Sequence, residues 1–286
     1  MHQLLSGLAN GAIYASLGVA LVTIFKTTHQ VNFAQGELAM FSTYVAWWLI
    51  QNGLPYWAAF LATVAVSFVA GVVFQRVILT QVKHGPVLSS VIVFIGLLII
   101  CNSLAGMLFG HSIKPFSSPF PSDAWYGSVY LSPHEVGMIG VTLAVLACVF
   151  VFFRFTRLGL AMRAAAENPA SSRLVGVRVG WMLALGWGFA SGLGAVAGMM
   201  AAPVVYLEPN MMTGILLYGF AAALLGGIDN PFGAAAGGFI VGVVENLAGA
   251  YLVGTQLKLV VALVVIVGVV TFKPAGLFGR KVVARV

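Results

Sequence analysis

The chain has 286 residues, of which 60% are hydrophobic and only 7% charged, against roughly 25% charged in an average soluble domain. That balance excludes a soluble globular fold. The net charge of +7 does not point to nucleic acid, because the Lys and Arg side chains fall in short loops between apolar runs and form no patch with interleaved aromatics.

A helix crossing a bilayer needs about 20 mostly apolar residues, and runs of that kind recur along the whole chain. The first, residues 4–25, follows Met1, His2 and Gln3. It lacks the basic n-region of a secretory signal and is expected to be a true span. Further spans are expected at 33–50, 55–75, 87–109, 135–153, 181–202, 214–228, 233–252 and 256–272. The expected fold is an all-α integral membrane protein with about 8–10 transmembrane or re-entrant helices, forming one domain over residues 1–286. Gly226, Gly227, Asp229, Asn230, Pro231 and Gly233 interrupt the seventh and eighth runs. That pair reads either as two crossings or as a re-entrant hairpin. Cys101 and Cys148 lie inside apolar runs without a metal or redox spacing and read as small packing residues.

Orientation follows from the retention of Lys and Arg on the cytoplasmic side. With the N-terminus outside, Lys26, Arg76, Lys83, Arg154, Arg157, Arg163, Arg173, Arg178, Lys273, Arg280, Lys281 and Arg285 all fall inside, and only Lys114 and Lys258 fall outside. The N-terminus is therefore expected on the outer side and the C-terminus on the cytoplasmic side. Trp47, Trp48, Tyr56 and Trp57 then mark one outer boundary, and Asp123, Glu135 and Glu208 lie on the outer side. The outer loop from Gly110 to Pro133 carries Pro115, Pro119, Pro121 and Pro133, which disfavour a regular helix, together with Trp125, Tyr126 and Tyr130. It is expected to be a docking platform or simply an anchored loop.

Small residues recur at helical spacing in Gly7-x-x-x-Gly11, Gly188-x-x-x-Gly192, Gly194-x-x-x-Gly198, Gly233-x-x-x-Gly237 and Gly238-x-x-x-Gly242, a pattern that lets helix backbones approach closely in lipid. Gly7, Gly11, Tyr14 and Gly18 form one stripe, and Gly238, Gly242, Glu245 and Gly249 another. Ser6-Gly7-Leu8 and Ser191-Gly192-Leu193 hint at a duplicated half.

Two carboxylates fall inside spans, where a charge at mid-depth costs about 2.5–3.5 kcal/mol or more. Glu37 follows the polar interruption Asn32-Phe33-Ala34-Gln35-Gly36, which reads as a helix start whose dipole favours an anion. Glu245 adjoins Asn246. Both are expected either along a translocation route or satisfying polar groups between packed helices.

The hydrophilic segment 154–180 has its own local chemistry. Leu158 to Glu167 reads as an Ala-rich helix. Asn168 then caps a second helix with Pro169 in its first position, Arg173 and Leu174 end it, and Gly176 supplies a left-handed stop. Such a helix suits contact with a cytosolic motor, although an ordinary basic loop would explain the arginines alone. The chain itself has no G-x-x-x-x-G-K-[ST] pattern, and H-E-x-x-H and G-x-S-x-G are also missing.

Four stretches together resemble the inner-membrane permeases of branched-chain amino acid ABC importers. They are Gly7-Leu8-Ala9-Asn10-Gly11-Ala12-Ile13-Tyr14-Ala15, Val31-Asn32-Phe33-Ala34-Gln35-Gly36-Glu37, Arg157-Leu158-Gly159-Leu160-Ala161-Met162-Arg163-Ala164 through Glu167-Asn168-Pro169, and Leu225-Gly226-Gly227-Ile228 with Val243-Val244-Glu245-Asn246. The ending Phe272-Lys273-Pro274-Ala275-Gly276-Leu277-Phe278-Gly279 is also similar, so the resemblance spans nearly the whole chain. It implies a type II-like ABC importer permease bundle that is not an enzyme, translocating a small polar or zwitterionic solute by alternating access. The implied partners are a homologous permease subunit in a heterodimer, two cytosolic ATPase subunits that hold the ATP and Mg, and a periplasmic substrate-binding protein. No cofactor is expected on this chain.

On that footing Arg157, Arg163, Glu167, Asn168, Pro169, Arg173, Leu174 and Gly176 are expected to couple to the ATPase. Asn10, Tyr14, Asn32, Gln35, Gly36, Glu37, Glu245 and Asn246 are the candidate translocation pathway. The family often has His where this chain has Gln35. Branched-chain or other amino acids are the expected solute, while related permeases handle urea and short amides. An ion-coupled secondary transporter or channel using Glu37 and Glu245 is the rival of another class.

Overall fold

A computed structural model describes residues 2–28, 30–82, 87–121 and 132–279. The expected inner residues Lys83, Arg280, Lys281 and Arg285 and the outer-loop residues Asp123, Trp125, Tyr126 and Tyr130 lie outside these. The long helices are α1 (His2–Thr28), α2 (Gln35–Gln51), α3 (Tyr56–Val82), α4 (Val87–Phe109), α5 (Pro133–Phe155), α8 (Val179–Val205), α9 (Met211–Gly226), α10 (Pro231–Ala248) and α11 (Lys258–Phe272). Between α5 and α8 stand two short helices, α6 (Arg157–Glu167) and α7 (Pro169–Leu174). Among the described residues there is no strand, only an isolated antiparallel bridge between Lys114 and Leu207. Six of the helices are long and apolar enough to cross a membrane, and α9 and α11 are shorter apolar helices.

Each expected span is matched by one helix, with shifts at the ends that have local causes. α3 runs past residue 75 to Val82 through a π-helical turn at Gln75–Leu79. Arg76 is accommodated there because its guanidinium stacks 3.9 Å from the Trp181 ring centroid. Pro133 belongs to α5 rather than to the loop. Ser132 and Glu135 form a reciprocal capping box around it.

The ambiguous seventh and eighth runs are two separate helices, α9 and α10, that pack against each other. The turn between α9 and α10 lies beside the C-terminal segment, where Leu277 N–H donates to Leu225 O at 2.7 Å and Phe278 N–H to Gly226 O at 3.1 Å. The far end of α10 lies beside the start of α1, where Asn246 Nδ2 donates to Gln3 O at 2.7 Å. These contacts put the described start and end of the chain at opposite ends of the bundle. Lys26, Arg76, Arg154, Arg157, Arg163, Arg173, Arg178 and Lys273 gather at the end carrying α6 and α7, and Lys114 and Lys258 at the other.

Glycine decides which helices touch. A Cβ at Gly7 would stand 2.9 Å from Val243 Cα and one at Gly11 2.8 Å from Phe239 Cα, so α1 and α10 approach backbone to backbone. In the same way a Cβ at Gly188 would stand 2.9 Å from Phe68 Cε2, and Gly192 faces Val64, which packs α8 against α3. Val243 and Phe68 occupy equivalent positions counted from Pro231 and Tyr56, as do Phe239 and Val64.

The bundle therefore contains a repeat, with α1–α4 answered by α8–α11. Both α1 and α8 have 27 residues, and both α3 and α10 run into a π-helical turn near their ends. Thr27 near the end of α1 packs over Gly186 near the start of α8, so the two copies are inverted. The tripeptides that hinted at this duplication are not its equivalents. Gly7 corresponds to Gly188, one helical turn away from Gly192.

Candidate functional site

α2 starts inside the bundle, which requires its orphaned backbone groups to be satisfied without water. Asn32, fully buried, meets one of these groups, and Gln35, also fully buried, ties the start of the helix to α8. Asn32 Oδ1 accepts from Ala34 N at 3.0 Å, Asn32 Nδ2 donates to Gln35 Oε1 at 3.2 Å, and Gln35 Nε2 donates to Ala190 O of α8 at 2.9 Å. Gly36 packs on Leu216 and Met212 of α9. Gln35 thus falls in a helix-packing contact.

The start so fixed places Glu37 in the first turn of α2, beside a cavity of about 300 Å3. Glu37, Asn102, Ser103, Asn210 and Thr213 give it polar groups, and Leu98, Ile99 and Leu216 an apolar wall. Glu37 is 5% exposed. Its Oε2 accepts from Asn102 Nδ2 at 3.3 Å, and the same amide points to Pro209 O at 3.0 Å and Asn210 Oδ1 at 3.2 Å. Two hydrogens shared among three acceptors hold α2, α4 and the entry to α9 together. The segment leading into α9 is also pinned from outside, where Lys114 N–H donates to Leu207 O at 2.9 Å and the Lys114 ammonium lies 4.9 Å from the Trp47 ring centroid.

Glu245 stands in a different place. It is 3% exposed, and its Oε1 lies 3.3 Å from Lys258 Nζ. Its Oε2 accepts from the Tyr14 hydroxyl at 3.3 Å. Lys258 also donates to Asn246 Oδ1 at 2.8 Å, and Tyr14 stacks on Tyr218 at 4.7 Å. Helical side chains lean toward their own N-terminus, so Tyr14 and Glu245 on antiparallel helices lean toward each other. The candidate pathway residues thus divide: Glu37 lines the cavity, Asn32, Gln35 and Gly36 build the helix start, and Tyr14, Glu245 and Asn246 form a buried ionic cluster. Asn10 is half-buried on α1 and enters none of the hydrogen bonds of these groups.

Asn102 and Asn210 were not singled out in the sequence, and Lys258 stood out there only for its place among the basic residues. Asn102 carried a usable signal, being a bare carboxamide late in an otherwise apolar span, where a polar side chain needs a partner.

At the basic end, Thr156 Oγ1 accepts from Gly159 N at 2.9 Å to cap α6, and Ala165 of α6 packs against Val179 and Leu183 of α8. Asn168 Oδ1 accepts from Ser171 N at 2.9 Å to cap α7, with Pro169 in its first turn. Gly176 has φ +84°, the left-handed value that ends the segment. Arg157, Arg163, Glu167, Asn168, Pro169, Arg173, Leu174 and Gly176 are all exposed.

An all-α bundle with an inverted repeat, a polar cavity among its apolar helices and a capped helix pair at one end is a membrane permease. The family described as branched-chain amino acid transport system, permease component, matches residues 3–270, and the chain belongs to that family. It is 30% identical to the high-affinity branched-chain amino acid transport system permease protein BraD of Pseudomonas aeruginosa, over 100% of this chain and 98% of that protein. It is 28% identical to the corresponding permease protein LivH of Salmonella typhimurium and 27% to that of Escherichia coli, in each case over 100% of this chain and 97% of the relative. A chain of PsaBC from Streptococcus pneumoniae, solved in complex with Fab, shares the fold with a TM-score of 0.52 at 13% identity, over 96% of this chain and 93% of that one.

Proposed function

We propose that this chain is the membrane-spanning subunit of a binding-protein-dependent ABC importer whose solute is a branched-chain or other amino acid. It pairs with a homologous permease as a heterodimer. Two cytosolic ATPases, which hold the ATP and Mg, dock against α6 and α7, and a periplasmic binding protein delivers solute at the opposite end. The membrane is the bacterial inner membrane, with the start of the chain periplasmic and its end cytoplasmic, as the charge distribution favours.

The observation that carries this reading is the tip of α7. Leu174 is 89% exposed and Val175 78%, on a helix fixed by a cap at one end and a left-handed glycine just beyond the other. Adjacent exposed apolar side chains on a rigid helix, flanked by Arg173 and Arg178, fit an anchor for a partner's groove. A rigid helix docked on α8 through α6 transmits closure of the motor into the bundle. The reading as an ion-coupled transporter loses one of its two carboxylates, because Glu245 is already paired with Lys258.

The test is uptake of leucine into vesicles holding the complete transporter, with ATP inside and binding protein outside. Wild type is expected to require both. Leu174→Asp is expected to lose uptake and ATPase association while still inserting, because the new charge would have to be desolvated in the groove. Uptake driven by an ion gradient alone, or full activity and association in Leu174→Asp, would overturn the proposal. Uptake of urea or an amide in place of leucine would correct the solute.

A further inference from the structure

We propose that Glu37 is the solute-recognising carboxylate of this permease, pairing with the ammonium group of an amino acid in the cavity between α2, α4 and α9. The inference rests on the reading above that the solute is an amino acid. Among the described residues two carboxylates, Glu37 and Glu245, are buried in the bundle, and their surroundings differ. Glu245 has Lys258 at 3.3 Å. Glu37 is equally buried, yet among the described residues no Lys, Arg or His lies within ion-pair distance, and its one hydrogen bond is the 3.3 Å contact from Asn102. The dipole of α2 favours the anion without neutralising it. A carboxylate so placed, facing an open cavity, lacks a cation that the protein does not provide.

An amino acid supplies that cation, as an ammonium with three donors, and the remaining cavity walls suit the rest of the molecule. Asn210 and Thr213 sit at the start of α9, where the positive end of a helix and side-chain donors favour the solute carboxylate. Leu98, Ile99 and Leu216 provide an apolar wall for an aliphatic side chain. Asn102 is a positioning residue, since its amide is held by Pro209 O and Asn210 Oδ1 while it orients Glu37.

The test compares wild type with Glu37→Gln in vesicles holding the complete transporter. Glutamine keeps the shape and one acceptor oxygen but removes the charge. Leucine uptake is expected to fall by about tenfold or more, the scale of a hydrogen bond to a charged group, with the subunits still co-purifying as a complex. Glu37→Asp is expected to retain part of the uptake. Glu37→Gln uptake above half the wild-type rate overturns the inference. If wild type moves no amino acid, the reading of the solute fails instead.

A second measurement needs no variant. Leucine is expected to raise the unfolding midpoint of the purified wild-type transporter without binding protein, and 4-methyl-2-oxopentanoate, which has the same carbon frame without the ammonium, is not. Equal shifts, or no shift with either, overturn the inference.

Discussion

Removing the ammonium of Lys258 should expose how the end of the bundle opposite α6 and α7 is held. In Lys258→Met, Glu245 stays 3% exposed with only the Tyr14 hydroxyl at 3.3 Å, and Asn246 Oδ1 loses the donor that lies 2.8 Å away. Breaking a buried pair from one side costs about 3–5 kcal/mol. The Lys258 side chain is 25% exposed, so water already screens the pair and the low end, about 3 kcal/mol, applies. Glu245→Gln is milder, about 1–2 kcal/mol, because Lys258 can turn to water and still donate to Asn246. The double variant Glu245→Gln/Lys258→Met leaves no unpaired charge and should lie close to wild type, giving a coupling of at least about 2 kcal/mol. The assay is the unfolding midpoint of the four proteins in one detergent. The expected order is wild type close to the double variant, then Glu245→Gln, then Lys258→Met. If the two single losses simply add in the double variant, the pair is not the ionic lock described here.

Gly11→Leu should lower the midpoint strongly, because its Cβ would already stand 2.8 Å from Phe239 Cα and overpacking costs about 1–3 kcal/mol or more. Gly18→Ala, whose methyl would meet Ala222 Cβ at 3.2 Å, should be far milder, and equal losses would refute the close approach of α1 and α10. Asn168→Ala removes the acceptor for Ser171 N and about 1 kcal/mol of capping. Hydrogen exchange over 169–174 should accelerate by roughly fivefold with the global midpoint unmoved, and unchanged exchange would refute the cap.

The crossings were legible because run length and polarity are properties of the chain read in one dimension. The helices depart from the expected spans where a polar group finds a partner elsewhere, as Arg76 does on Trp181. The glycine stripes marked the faces on which α1 and α10 meet, because close approach requires absent side chains, which a sequence displays directly, but that the two faces meet each other was not legible. The α7 helix was legible because Asn168, Pro169 and Gly176 act within a few residues of themselves.

Pairing across the bundle was not legible. Glu37 meets Asn102 from α4, and Asn102 meets Pro209 and Asn210 at the entry to α9. No periodicity connects those positions. Glu37 and Glu245 looked alike as buried carboxylates, and only the fold separates the one paired with Lys258 from the one facing a cavity. The inverted repeat was visible only as a tripeptide match, and that match lies one turn out of register, because helix packing preserves glycine spacing rather than local sequence.

The end of α8 allows a test of stored strain. Tyr206 has φ +64° and ψ +155° and is the non-glycine residue with positive φ among the described residues. That region belongs essentially to glycine and costs about 1–3 kcal/mol for other residues. The segment it opens is held on both sides, by the Lys114–Leu207 bridge and by Asn102 on Pro209 O, which is how the conformation persists. Tyr206 is 59% exposed, so its ring contributes little burial. Tyr206→Gly should therefore raise the unfolding midpoint, the relieved strain exceeding the roughly 0.5–1 kcal/mol entropic cost of glycine. Tyr206→Ala removes the ring but keeps the strain, and should fall at or below wild type. The difference between glycine and alanine at this one position isolates the backbone contribution. A glycine variant no more stable than the alanine variant would show that the positive φ stores no strain, and that the two attachments do not hold this segment against a preferred alternative.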